Sequence, residues 1–267
     1  ERPHLGRLVS RLELFPSRSR PLVFAHRGYS ARAPENTLAA FRLAREEGIP
    51  GIELDVQLCG TGEVVVIHDY GLRRITGVKK PVAEASYAEL REMDAGSWFA
   101  PRFREESIPL LADVFDTLGT SVYYDIEIKQ RGDEETGIEE ALARIITEYG
   151  FTSSVMVSSF NPAVVSRFKR ALSSIPTAVI FASPKKVRHV LPGMGYAAHR
   201  SYDALKPYYR RVKPGYVVMQ HGLYGYPLLA WTVNSVNAAR KLVDIGVAGL
   251  VSDDPGPIYR ALRTFTR

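Results

Sequence analysis

From Pro21 onward, short apolar runs alternate with stretches of helical periodicity, the rhythm of βα units whose strands lie parallel. Eight runs read as strands: Leu22–Ala25, Gly51–Val56, Val122–Ile128, Val155–Ser158, Ala178–Phe181, Tyr196–His199, Leu228–Val233 and Gly249–Ser252. Helical signals lie between most of them. Asn36-Thr37 forms a cap ahead of Leu38, Phe41 and Ala44, with a stop at Gly48, and a second helix runs from Glu139 to Tyr149 and closes at Gly150. Two junctions echo each other, Gly48 to Asp55 and Gly246 to Asp253, each with a helix-stop glycine, a second glycine, a strand and a terminal acid. Eight units with an internal echo predict a closed (β/α)8 barrel of the TIM type, and 267 residues suit one such domain. An eight-strand doubly wound sheet is the alternative α/β fold.

A ninth strand-like run, Val64–His68, follows Val56 after too few residues for a parallel crossover, so the pair is expected to form an antiparallel hairpin. A two-residue turn at Gly60-Thr61 would set His68 opposite Glu53, and one at Thr61-Gly62 would set it opposite Asp55. Either register puts the imidazole on the carboxylate face. Between Tyr70 and Ser107 the chain is polar, glycine-punctuated and without clear periodicity, with Trp98-Phe99 near its end. It reads as an insertion, about 70–107, covering the mouth of the barrel. Residues 1–20 carry five arginines and little apolar periodicity, and are expected to form a basic arm ahead of the 21–267 domain.

Alternation along the strands collects the chemistry. Glu53 and Asp55 share one face of their strand while Ile52, Leu54 and Val56 share the other, and Glu127 faces inward by the same rule between Ile126 and Ile128. Inward carboxylates repel unless a cation or protons separate them. Three of them suit a hard divalent cation with oxygen ligands, Mg²⁺ or Ca²⁺; zinc would more often have recruited the histidines. At neighbouring strand ends stand His26 and Arg27, His68, Lys129 and Asn234. Two histidines and two cations around a divalent metal describe transfer or hydrolysis at phosphorus. The cations would stabilise charge on the non-bridging oxygens, one histidine would take a proton and the other would give one to the leaving oxygen. Each residue alone also has a structural reading: His26 as a hydrogen-bonded core residue, Glu127 with Lys129 as a surface ion pair, Trp231 as packing. Their shared place at strand ends is what favours chemistry.

Composition narrows the rest. A formal charge of +6 favours an anionic ligand or surface, but no basic run interleaved with aromatics suggests nucleic acid. One cysteine, Cys59, excludes an internal disulfide framework and a cysteine zinc cluster. No apolar stretch approaches the ~20 residues of a membrane span. The lone cysteine fits a cytoplasmic setting, while a start at Glu1 rather than Met is compatible with a removed export signal.

The motifs Ala25-His26-Arg27-Gly28, Pro34-Glu35-Asn36-Thr37, Gly51-Ile52-Glu53-Leu54-Asp55-Val56-Gln57, Val66-Ile67-His68-Asp69, Thr76-Gly77, Ile108 to Leu111, Ile126-Glu127-Ile128-Lys129, Ser158-Ser159-Phe160, Trp231 to Asn234 and Ser252 to Pro255 occur in the order of one family. In these the chain resembles the glycerophosphodiester phosphodiesterases, from about Leu22 to Pro255. The resemblance implies a TIM barrel with an inserted subdomain after the second histidine. It implies that Glu53, Asp55 and Glu127 bind the metal, that His26 and His68 are general acid and base, and that Arg27 and Lys129 bind phosphate. Glu35 and Asn36 would support the site and Trp231 would line the alcohol pocket. By the same resemblance a neighbouring glycerol hydroxyl attacks phosphorus through a cyclic phosphate, yielding an alcohol and sn-glycerol 3-phosphate. Glycerophosphocholine or glycerophosphoethanolamine would be typical substrates. A lysophospholipase D or sphingomyelinase D activity on lipids is one alternative. A catalytically silent headgroup-binding protein, its basic arm touching a membrane, is another.

Overall fold

The computed structural model describes residues 21–183 and 202–264. The 1–20 arm and the strand expected at Tyr196–His199 lie outside those residues. The strands are β1 (Leu22–His26), β2 (Gly51–Leu58), β3 (Val64–Val66), β4 (Tyr123–Ile128), β5 (Val155–Ser159), β6 (Thr177–Phe181), β7 (Ala204–Pro207), β8 (Leu229–Ala230) and β9 (Gly249–Ser252). They pair in the order β7-β6-β5-β4-β2-β1-β9-β8, with β3 off this path on β2. Parallel bridges from Leu205 to Leu228 and from Tyr208 to Trp231 join the two ends. The result is a nearly closed barrel of eight parallel strands. Its sixth strand is β7, a run the sequence hides because Lys206 and Pro207 break its apolar pattern.

Alternation divides the barrel interior into two levels. Leu22, Phe24, Met156, Ala178, Ala204, Leu229 and Val251 form an apolar plug at the strand starts. Toward the strand ends the inward positions become Glu53, Asp55, Asp125, Glu127, Ser158 and Lys206, all buried. Phe24 is completely enclosed in the plug, and truncating it to alanine would cost about 3–5 kcal/mol. The opposite faces of the strands pack on the helices, as Ile52, Leu54 and Ile126 do with Phe41 of α1 (Leu38–Glu46) and Phe115 of α2 (Leu111–Leu118). Thr37 caps α1, its hydroxyl accepting from the Ala40 amide at 3.4 Å.

The hairpin departs from both expected registers. Val56 pairs with Val66, Gln57 with Val65 and Leu58 with Val64, so the turn holds three residues, Gly60-Thr61-Gly62, with Gly62 at φ +92°. Continued, that register would put His68 opposite Leu54, on the wrong face. The strand instead stops at Val66, and Gln57 Nε2 donates to the carbonyls of Ile67 at 2.9 Å, His68 at 3.3 Å and Asp69 at 2.9 Å. One buried amide thus holds the chain as it leaves the sheet and returns His68 to the mouth. The segment that follows packs around its own small core, in which Leu72, Ile75, Val82 and Leu90 meet Val65 and Ile67 of the hairpin.

Candidate active site

The register of β2 and β4 assembles the carboxylates. Asp55 pairs with Glu127 and Glu53 with Asp125. Glu53, Asp55 and Glu127 offer oxygens within 4.8 Å of one another, and each residue is at most 6% exposed. Arg27 Nε lies 3.2 Å from Asp55 Oδ2, and Lys129 Nζ lies 2.7 Å from Glu127 Oε1 and 3.7 Å from Asp55 Oδ1. Burial pushes Glu53 up to about 7, helped by Asp55 and Asp125 against the opposing pull of His26 and Lys206. Burial also raises Glu127, with Asp55 adding to it. Asp55 goes the other way: burial opposes it, but Arg27 and then Lys129 hold it below its ordinary value. Asp55 Oδ1 is buried and, among the described residues, has no hydrogen-bond partner. Clustered oxygens, an orphaned carboxylate atom and a carboxyl straining toward protonation form a donor set that fits a hard divalent cation.

The loop after β1 is bent to serve this cluster. Arg27 and Asn36 adopt left-handed conformations, at φ 55° and 57°, which non-glycine residues rarely tolerate. The contacts they make offset that strain. The Arg27 amide donates to Glu53 Oε2 at 3.1 Å, its guanidinium to Glu35 Oε1 at 2.9 Å, and Asn36 Nδ2 donates to Asp55 Oδ2 at 2.9 Å. Gly28 follows at φ +78° with its Cα against α1; a Cβ there would lie 2.7 Å from that of Ala40. Glu35, Asn36 and Arg27 therefore gather around β2.

Each histidine is backed by an aspartate. His26 Nδ1 lies 2.5 Å from Asp253 Oδ1, and Asp253 accepts from Asn234 Nδ2 at 2.7 Å. His68 Nδ1 lies 2.7 Å from Asp69 Oδ1, and Asp69 accepts from Arg74 Nε at 2.6 Å. An ionised carboxylate on Nδ1 fixes the proton there and turns Nε2 to the site. His26 Nε2 is 3.8 Å from Glu53 Oε2. Although burial opposes it, Glu53 and Asp253 raise His26 above its ordinary value, whereas burial lowers His68. Trp231 closes the far side: its indole donates to the Lys206 carbonyl at 2.8 Å, and its ring meets Phe160 edge-on at 5.4 Å.

His26, Arg27, Glu35, Asn36, Glu53, Asp55, His68, Glu127, Lys129 and Trp231 thus surround one mouth. Five that matter there were not assigned a place by pattern alone. Asp69 and Asp253 lie within motifs but reveal their partners only in three dimensions. Arg74, reaching both Asp69 and Glu35, sits in the aperiodic insertion. Lys206, 2% exposed, pairs with Asp125 at 2.6 Å and donates to Ser158 Oγ at 3.0 Å. Asp125 alternates visibly with Glu127, so its inward side was open to inference; its cation was not, because β7 is not recognisable as a strand.

Residues 26–257 match the sequence profile of the Glycerophosphoryl diester phosphodiesterase family. A glycerophosphodiester phosphodiesterase of Caldanaerobacter subterraneus subsp. tengcongensis is 35% identical over 243 residues, covering 91% of this chain and 98% of that protein. One of Bacillus altitudinis is 32% identical, over 87% of this chain and 94% of its own length. Among solved structures, an Oleispira antarctica phosphodiesterase in complex with the product sn-glycerol-3-phosphate superposes with a TM-score of 0.77 at 28% identity, over 92% of this chain and 98% of that one. The chain belongs to the glycerophosphoryl diester phosphodiesterase family and is an enzyme of it.

Proposed function

We propose that this enzyme cleaves glycerophosphodiesters such as glycerophosphocholine and glycerophosphoethanolamine to sn-glycerol 3-phosphate and an alcohol, with His26 and His68 as its proton-transfer pair. The carrying observation is that two imidazoles, each backed by an aspartate on Nδ1, flank a buried carboxylate triad. Glu53, Asp55 and Glu127 would hold Mg²⁺ or Ca²⁺. That cation would draw negative charge from the non-bridging phosphate oxygens. Arg27 and Lys129, at the rim of the triad, orient the phosphate and share in that stabilisation. One histidine takes the proton of the glycerol hydroxyl next to the ester as that oxygen bonds to phosphorus; the other gives a proton to the alcohol oxygen as its bond to phosphorus breaks. Water then opens the cyclic phosphate with the two imidazoles in reversed roles. Holding the internal nucleophile in line is worth much of the rate. Glu35 and Asn36 keep Arg27 and Asp55 in place, and Trp231 walls the organic part of the substrate.

The test is release of sn-glycerol 3-phosphate from glycerophosphocholine with added Mg²⁺ or Ca²⁺, with chelator, and with His68→Ala. Product that requires metal and is lost in the variant is expected. Undiminished product after exhaustive chelation would remove the metal role, and faster cleavage of lysophosphatidylcholine would move the substrate to lipids.

A further inference from the structure

Beside the triad a cleft of about 800 Å³ runs outward from His68 and Lys129, past Tyr70, to Arg73 and Arg131. Its lining carries four cationic side chains, Arg73, Arg74, Lys129 and Arg131, against one carboxylate, Asp69. Arg74 is committed to Asp69 and Glu35, and Lys129 to Glu127. Arg73 and Arg131 are exposed, and among the described residues neither has a carboxylate at ion-pair distance. The guanidinium of Arg131 lies 4.4 Å above the Tyr70 ring, which holds it over the cleft.

The chain leaving β4 carries two of these charges outward. Glu127 is the last inward position of β4, which ends at Ile128, and the chain beyond it carries Lys129, at the rim of the triad, and Arg131, exposed in the cleft. Trp231 stands on the other side. It directly follows β8, the fourth strand from β4 in either direction around the barrel. A diester whose phosphate rests at Arg27 and Lys129 therefore has two directions to extend, toward an aromatic wall or along a basic channel. Glycerol, small and uncharged, needs only the wall. The channel is larger than glycerol requires, and its field attracts anions and repels an ammonium. Its groups without a carboxylate partner among the described residues are arginines, whose planar donors match phosphate oxygens.

We propose that this cleft receives the departing alcohol and selects glycerophosphodiesters whose alcohol itself carries a phosphate group. The proposal rests on the reaction assigned above. It places the departing alcohol opposite Trp231, where the family resemblance alone would set it against that ring.

The experiment compares kcat/KM for bis(glycerophospho)glycerol, glycerophosphoglycerol and glycerophosphocholine, whose departing alcohols are anionic, neutral and cationic. Two exposed arginines acting together are expected to favour the first over the last by about tenfold. In Arg73→Ala/Arg131→Ala that ratio should fall toward one, mainly through KM for the anionic substrate. A wild-type ratio at or below one, or a ratio the double variant leaves unchanged, overturns the proposal. Should none of the three be cleaved, the reaction assignment fails. Calorimetric binding of bis(glycerophospho)glycerol then reads the cleft independently: weaker binding to the double variant sustains the proposal and equal binding overturns it.

Discussion

His26 Nδ1 and Asp253 Oδ1 lie 2.5 Å apart although 227 residues separate them in the chain. They meet because β1 and β9 pair in parallel, with Ala25 opposite Ser252, so the ends of the first and last strands share one rim. Closure of the barrel thus sets the tautomer of one imidazole. A carboxamide in place of the Asp253 carboxylate would offer an N–H as readily as an oxygen to Nδ1, and the proton would no longer be fixed there. Asp253→Asn is expected to lower kcat by ~10²-fold with little change in KM. Steady-state kinetics beside a melting curve checks this; a large loss of melting temperature would mean instead that the aspartate serves the barrel.

The Lys206–Asp125 pair, 2.6 Å apart, lies in the barrel interior, one inward position deeper on β4 than Glu127. Neither residue is more than 2% exposed. Removing the cation leaves a buried carboxylate without its partner, at a cost of about 3–5 kcal/mol. Lys206→Met should therefore unfold at markedly lower urea. Asp125→Asn/Lys206→Met, which removes both charges, should recover most of that loss. Equal losses in the single and double variants would show that the pair matters for shape rather than charge.

Asp69 answers to the insertion. Hydrogen bonds from Arg74 hold its carboxyl at about 2, against burial, and His68 adds a smaller downward pull. A carboxyl with a depressed folded value stabilises the fold above its unfolded value of 3.8 and loses that contribution as pH falls through about 2. Melting temperatures of wild type and Asp69→Asn should differ by a constant amount above about pH 4 and converge below it. Convergence in the neutral range would point to a different titrating group. Because Asp69 also backs His68, the same variant should lose ~10²-fold in kcat at neutral pH.

How much of this was legible in the chain depends on periodicity. Inward Glu53, Asp55 and Glu127 follow from alternation, because a period of two leaves only one other face. The caps of α1 and of the helix over Ile138–Glu148 follow from Thr37 and Gly150, local signals that need no tertiary information. The hairpin register did not follow: three residues fit the turn as well as two, and the side chain of Gln57 that holds the chain beyond Val66 is no local signal. Lys206 was hidden for a similar reason. A lysine reads as solvent-facing unless its strand is recognised, and a four-residue strand ending in proline carries too little pattern. The partner of His26 was invisible as a partner, since nothing local joins Asp253 to His26.

The triad makes a measurement that does not depend on turnover. Glu53, Asp55 and Glu127 repel one another in a buried space, and a divalent cation bound only by the folded chain stabilises it by mass action. At about a hundredfold excess over Kd the gain is ~2.7 kcal/mol, on the order of 5–10 °C in melting temperature for a chain of this size. Mg²⁺ or Ca²⁺ should produce that shift in wild type and EDTA should reverse it. Glu127→Gln removes one anionic ligand and one repulsive charge together, so its metal-free form should melt no lower than wild type while its response to metal disappears. Lys129 would then lose its 2.7 Å ion pair, so KM should rise as phosphate positioning loosens. A full metal shift retained in Glu127→Gln would exclude β4 from the ligand set and leave Glu127 as the counter-charge of Lys129.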